Sequence, residues 1–358
     1  MMLVAMSAPA MAGDSIADTP AAAKKEGWLK RTLRGFSYVD TNYVEPQHYN
    51  WSVMMQGTYN YDIYRLSTQG ADGQSVTFSP KGGVKVGPYF GWRWVFMGYT
   101  IDLSHINFDE RTPWQGIDFS FYSAQIGADL YYRHTRNNYR IRNVELGQGI
   151  DTHGLEDIPF DGISVGITGF NVYYIFNHQR FSYPAAFNQS TMQKISCGSW
   201  MAGIGYLNNS LDFDHTKLET IIRENQATQT VQLDSGLMFN SVRYVDLSAS
   251  VGYAYNWVFA RNWLWCSSLS LALAYKYTSG KTANGGLQGF GLKNFNVDGI
   301  GRFGVVYNNN RWYAGANAIV RAYNYSKERF AANNIFGSVN VYVGYNFGAR
   351  GPYKKKKQ

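Results

Sequence analysis

The sequence predicts an all-β fold: a transmembrane antiparallel up-and-down β-barrel of about twelve strands, behind a short N-terminal helical or extended segment. Three observations carry this. The 358 residues are 16% aromatic and 16% charged, with 37 Gly, whereas an ordinary soluble domain is about 25% charged. No stretch reaches the roughly 18 apolar residues of a spanning helix, and the mean hydropathy is −0.32. Hydrophobicity instead alternates with period two through many short segments. The high aromatic content also excludes a disordered chain.

The alternating segments lie near 49–66, 78–92, 94–106, 116–133, 138–146, 161–178, 193–209, 240–258, 262–279, 294–308, 311–325 and 335–348. In 262–279, Trp263, Trp265, Leu269, Leu271, Leu273, Tyr275 and Tyr277 form one face. Cys266, Ser268, Ser270, Ala272, Ala274, Lys276 and Thr278 form the other. A soluble sandwich turns its large residues inward, whereas a membrane barrel turns them toward lipid. An even strand number brings both chain ends to one side, the periplasmic one. Alternate connections are short (92–94, 134–137, 259–262, 308–310) and the others long (67–77, 107–115, 147–160, 210–239, 280–293, 326–334). The periplasmic connection 179–192 breaks that rule, and a parity change near Phe121-Tyr122 suggests a β-bulge. Trp51, Trp92, Trp94, Trp257, Trp263, Trp265 and Trp312 gather at the periplasmic strand ends, as expected of an aromatic girdle at the headgroup level.

The ends differ from the body. Of the net charge of +8, segment 13–36 holds +2 and 349–358 holds +5, leaving +1 for the strands. A nucleic-acid partner, which needs a basic face on a folded body, is therefore excluded. Residues 1–12 end in Ala10-Met11-Ala12 and read as a partial signal peptide. Residues 13–48 form a periplasmic N-terminal segment, whose stretch 21–36 is a short helix against the membrane or lumen or a solvated linker. The barrel spans 49–348, and 349–358 is a basic periplasmic tail. In the loop 210–239, Leu218, Ile221, Ile222 and Asn225 share one helical face and could cap the mouth. Cys197 and Cys266 are expected to be isolated thiols.

The strings SPKGGVKVGPYFGWRWVFMGYTIDL (79–103), YSAQIGADLYYRHTRNNYRIR (122–142) and FSYPAAFNQSTMQKISCGSW (181–200) resemble the barrel family called domain of unknown function 4421, found in Bacteroides-type Gram-negative bacteria. The resemblance runs from about Phe36 to Gly348. It implies an outer-membrane-type barrel, assigns no catalytic or ligand residue, and makes the long connection 179–192 a family feature.

No enzyme constellation stands out: the six histidines form no H-x-x-x-H pair, and no G-x-S-x-G or P-loop occurs. Asp212-Phe213-Asp214-His215 faintly resembles a rim-type hydrolase site, but catalysis needs convergent geometry that a four-residue string does not supply. Neither a metal nor a cofactor is expected. By parity the lumen receives Lys85, Arg93, Lys276, Arg302 and Arg321 with Asp62, Asp102, Asp246 and Asp298. A two-residue turn at Asn309-Asn310 would set Asp298 opposite Arg321 and Arg302 opposite Asn317, giving a charge row Lys276–Asp298–Arg321. Tyr345 and Phe347 in the last strand read as an outward-facing signal for the barrel-assembly machinery. The leading expectation is a monomeric, non-enzymatic narrow channel or small-solute transporter of the bacterial outer membrane, in contact with lipid and lipopolysaccharide. The alternatives are a structural or binding barrel that anchors a periplasmic or surface partner, and the rim-type hydrolase.

Overall fold

The computed structural model of the protein describes residues 2–6, 39–68, 73–80, 82–92, 95–99, 101–102, 114–136, 139–147, 150–225, 232–278, 295–327 and 330–353. Segment 13–36, Arg93, Trp94 and Lys354–Lys357 lie outside the described residues. The fold is all-β with antiparallel ladders and two helices. In chain order the strands are β1 (Met2–Met6), β2 (Val44–Pro46), β3 (Tyr49–Thr68), β4 (Ser75–Pro80), β5 (Val84–Trp92), β6 (Val95–Tyr99), β7 (Ile101–Asp102), β8 (Trp114–Tyr122), β9 (Ile126–Arg136), β10 (Tyr139–Glu145), β11 (Ile158–Phe160) and β12 (Ile163–Ile175). Then follow helix α1 (Tyr183–Phe187), β13 (Thr191–Gln193), β14 (Cys197–Phe213), helix α2 (His215–Asn225), β15 (Ser241–Ala260), β16 (Trp263–Thr278), β17 (Phe295–Asn308), β18 (Trp312–Lys327) and β19 (Phe330–Ala349).

The wall runs β8–β9–β12–β14–β15–β16–β17–β18–β19–β3–β5, with β6 and β7 on β5. Strand β19 returns to β3 in a ladder from Phe330↔Thr68 to Ala349↔Tyr49, so the first and last long strands lie side by side. Among the described residues no ladder joins β6 or β7 directly to β8, and the sheet is not closed there. Met2–Met6, within the expected signal peptide, lies antiparallel along Val95–Tyr99. Arg350 N donates to His48 O at 2.8 Å and Tyr353 stacks on His48 at 3.9 Å, so the start of the basic tail is tied to the entry of β3.

Strand parity is inside-out relative to a soluble protein. Leu247, Val251, Leu269, Leu271, Leu273, Val297, Val341 and Val343 are each more than half exposed on the outer face. The inner positions of the same strands, such as Ala254, Cys266, Ala272, Ala274 and Asn256, are buried. Trp51, Trp92, Trp257, Trp263, Trp265 and Trp312 are exposed at the end where β3 begins, with Trp51 level with Trp92 and Phe347, and Trp257 level with Trp265. Cys197 and Cys266 are free thiols.

Three expectations need correction. Segment 116–133 is a hairpin, not a bulged strand: Ser123 N donates to Ile126 O at 2.9 Å, and Ser123 Oγ accepts from Ile126 N at 2.9 Å. A serine side chain supplies the turn that Gly or Asn usually supplies. Segment 138–146 is not a wall strand; β10 pairs with β4 and β11 above the wall. The connection expected over 326–334 is short, because the β18–β19 ladder continues to Lys327↔Phe330.

Glycine matters where two strands share a ring. A Cβ on Gly344 would sit 2.1 Å from Tyr313 Cζ, whose hydroxyl is within 2.7 Å of Ser52 Oγ. Gly344→Ala should therefore lower stability by about 1–3 kcal/mol through overpacking. Urea unfolding of the protein refolded into liposomes measures this, and Ala at the open position Gly351 is expected to be neutral.

Candidate functional site: the occupied lumen

The lumen is occupied at three levels by residues from different parts of the chain. At the near end, where β3 begins, the long connection after β12 turns inward. Phe181 and Tyr183 are fully buried, and Pro184 sits in the first turn of the single-turn helix α1. Tyr183 stacks on Tyr122 of β8 with centroids 6.0 Å apart, and its hydroxyl donates to Ser268 Oγ of β16 at 2.5 Å. Asn256 of β15 donates to Ser182 O at 2.8 Å, and Gln189 donates to the Tyr342 hydroxyl of β19 at 2.7 Å. Strand β13 then pairs with β2, from Thr191↔Pro46 to Gln193↔Val44. Segment 181–193 is thus a plug, and Ser182, Tyr183 and Gln189 find hydrogen-bond partners on the wall.

At mid-height the lumen holds charges. Arg302 of β17 forms an ion pair and hydrogen bond with Asp129 of β9, both 1% exposed. Asp129 also accepts from Ser120 Oγ at 2.7 Å, and Arg321 approaches it to 4.0 Å. No ladder connects β17 to β9; four strands, β12, β14, β15 and β16, separate them along the wall. The pair therefore crosses the lumen. A second crossing lies beside it, where the Tyr131 and Tyr323 hydroxyls hydrogen-bond at 2.8 Å. Rings face the guanidinium groups: Arg302 lies 5.0 Å from the Tyr173 centroid, Arg321 5.2 Å from Tyr131 and Arg133 4.8 Å from Phe336. Cation–π contact of this kind strengthens where water is excluded.

Further out, Lys276 Nζ stands 3.0 Å from Asp298 Oδ1 and 3.2 Å from Asp246 Oδ2, and donates to Asn324 O. All three charged side chains are 1–2% exposed. Above them an apolar core including Leu66, Phe78, Ile141, Phe160 and Phe213 closes the far end. Helix α2 seals it with Leu218 and Ile222 buried and Ile221 packed alongside. Asp214 caps that helix, accepting from Thr216 Oγ1 at 2.6 Å and Lys217 N at 3.2 Å. The Thr216 hydrogen bond holds the Asp214 carboxyl below its ordinary value. His215 Nδ1 is buried without a hydrogen-bond partner among the described residues.

The expected charge row is only partly assembled. Asn309 N donates to Trp312 O, so the loop residues are Asn310 and Arg311, with Asn310 at φ 74°. Pairing shifts by two residues: Ile300, not Asp298, faces Arg321, and Ile319, not Asn317, faces Arg302. A two-residue shift keeps every side chain on its face, so Arg321 stays inside and turns to Asp129. Lys85 is half-buried and in register with Asp102. Tyr345 pairs with Trp312, and Phe347 with Trp51. Sequence reasoning missed Asp129 and Arg133, because the hairpin at 123–125 resets the parity that places them inside.

With this geometry in hand, the sequence matches the family model DUF4421, a domain of unknown function, over residues 38–347. The chain belongs to that family. No curated protein matches it. Among solved structures, the outer membrane protein OprG from Pseudomonas aeruginosa is similar at 9% identity and TM-score 0.23, over 85% of this chain and 99% of that one. A loop-deletion mutant of OmpT, an outer membrane protein of Vibrio cholerae, shares 10% identity at TM-score 0.23, over 82% and 99%. The P. putida toluene transporter TodX shares 7% at TM-score 0.22, over 83% and 91%.

Removing one partner of a buried ion pair strands the other, which costs about 3–5 kcal/mol. Asp129→Asn should destabilise by that order, measured by urea unfolding. The double variant Asp129→Leu/Arg302→Met should recover part of the loss, because Arg302 is no longer stranded while Arg321 still loses Asp129.

Proposed function

We propose that this protein is a closed β-barrel of about twelve strands in the bacterial outer membrane, shut at rest, acting as a structural or binding barrel rather than a standing pore. The outward apolar face supports the membrane placement. From Trp265 to Tyr277 the strand rises about 40 Å at roughly 3.3 Å per residue. At a tilt of about 45° this is about 28 Å along the normal, close to a bilayer's hydrocarbon thickness. The tryptophans at the near end would form the periplasmic girdle, and Tyr345 and Phe347 would face lipid for the assembly machinery. Lipopolysaccharide would contact the outer half, and a monomer would suffice once β8 met the β5–β7 edge to close the wall. No catalytic role is assigned to any residue.

The observation that carries the shut state is the meeting of Arg302 and Asp129 across the lumen, beneath an apolar cap and above the plug. A freely diffusing solute would have to separate a desolvated ion pair. A second reading, a gated narrow channel or small-solute transporter, is favoured by the way the plug is held. Asn256 and Gln189 tie it to the wall through a few hydrogen bonds that water could replace.

Planar-bilayer recording tests both. The wild type is expected to show no steady conductance, and replacing residues 183–189 by a Gly/Ser linker is expected to leave it silent, because the Arg302–Asp129 layer remains. Steady wild-type conductance would overturn the shut barrel. Conductance that appears only on plug replacement would favour the gated channel.

A further inference from the structure

The plug is fastened in two different ways. Among the described residues, every hydrogen bond between 181–193 and the barrel wall passes through a side chain. Asn256 Nδ2 donates to Ser182 O and Gln193 Oε1, the Tyr183 hydroxyl to Ser268 Oγ, and Gln189 Nε2 to the Tyr342 hydroxyl. The plug backbone is paired instead with residues 39–48, which precede β3. Strand β13 lies on β2 from Thr191↔Pro46 to Gln193↔Val44. The pairing continues at both ends, where Gln47 N donates to Ser190 O at 3.2 Å and Lys194 N to Tyr43 O at 2.7 Å. Asp40 N also donates to Gln179 O at 2.8 Å, and Arg180 lies 5.1 Å from the Tyr43 centroid.

A segment like the plug does not hold its own shape. Helix α1 has five residues and β13 three, and a helix that short is unstable alone. The conformation that sets Ala185 and Ala186 against Leu264, Cys266 and Val306 therefore depends on the segment it is laddered to. Gln193, 7% exposed, joins all three parts. Its Oε1 accepts from Ser182 N and Asn256 Nδ2, both at 3.0 Å, and its Nε2 donates to Tyr43 O at 3.2 Å and Arg180 O at 2.6 Å. Residues 39–48 are seated in turn. Val39 and Val44 are buried with Ala124 at the β8–β9 turn, and Glu45 accepts from Asn310 Nδ2 at 3.1 Å.

We propose that residues 39–48 are a retaining strap, and that strap and plug leave the near end of the lumen as one unit, with Gln193 as the positioning residue that locks them together. Side-chain bonds to the wall exchange for water one at a time. Unpairing the plug from the strap gives up backbone groups that need partners wherever they stay buried. Whatever opens the near end therefore has to lift the strap. The proposal rests on 181–193 being a plug and supplies the release element of the gated reading. Its test does not use conductance, so the strap and the shut barrel fail separately.

Cys266 is a native reporter, fully buried beside Ala185 and Ala186. The test uses the full chain with Cys197→Ser, refolded into liposomes and reacted with N-ethylmaleimide in sub-denaturing urea, while gel mobility reports the folded barrel. Cys266 should react slowly, and the thiol of a Val44→Cys/Cys266→Ala companion should react at the same rate. Replacing residues 40–46 by a Gly/Ser linker should speed Cys266 labelling by about tenfold or more with the barrel still folded, since several hydrogen bonds are lost. If that variant does not fold, Gln193→Ala should show the acceleration instead. Unchanged protection of Cys266 in a folded variant, a Val44→Cys thiol that reacts well ahead of Cys266, or labelling only when the barrel unfolds would overturn the proposal.

Discussion

Arg302 and Asp129 sit on strands that no ladder joins, yet their side chains meet. That contact fixes the distance between two walls of the sheet and places paired charges in the middle of the lumen. Among the described residues, the buried charged groups are Asp62, Asp129, Asp246 and Asp298 with Arg133, Lys276, Arg302 and Arg321. All lie on inward strand positions. Each charge is tolerable only because others share the same dry space, so the curvature of the wall and the placement of the charges depend on each other.

The remaining features follow from having a polar interior and an apolar exterior. A wall whose large residues point outward has little bulk to fill its centre, and small inner residues such as Ala254, Ala272 and Ala274 leave that centre for other segments. The plug after β12 takes the near end with Phe181 and Tyr183, and α2 takes the far end with Leu218 and Ile222. The charged layer lies between them. The two charge groups are complementary, since Asp129 faces two arginines and Lys276 faces two aspartates. The Tyr131–Tyr323 bridge stands between these groups.

Much of this was legible in the sequence, for a specific reason. Outward residues face one uniform medium, so alternation in 262–279 or 335–348 persists without interruption. The helix at Leu218–Asn225 showed its apolar face as plainly. The register of β17 on β18 did not, because Asn308, Asn309 and Asn310 are each able to take the left-handed turn position, and only the fold selects Asn310. The turn at Ser123–Gln125 has no Gly, Pro or Asn, and missing it hid Asp129. Contacts across a lumen are harder still. Parity says that Arg302 points inward, but nothing local says which residue it faces. The plug was visible only as a connection longer than its side of the barrel requires.

The central claim is that odd-numbered residues of β16 face lipid while even-numbered ones face a packed lumen. Spin labels placed singly along 268–275 in the liposome-embedded protein test it through collision with oxygen, which concentrates in lipid. Accessibility should peak at Leu269, Leu271 and Leu273 and fall at Ser268, Ser270, Ala272 and Ala274. The opposite phase, or an absence of two-residue periodicity, would contradict the account.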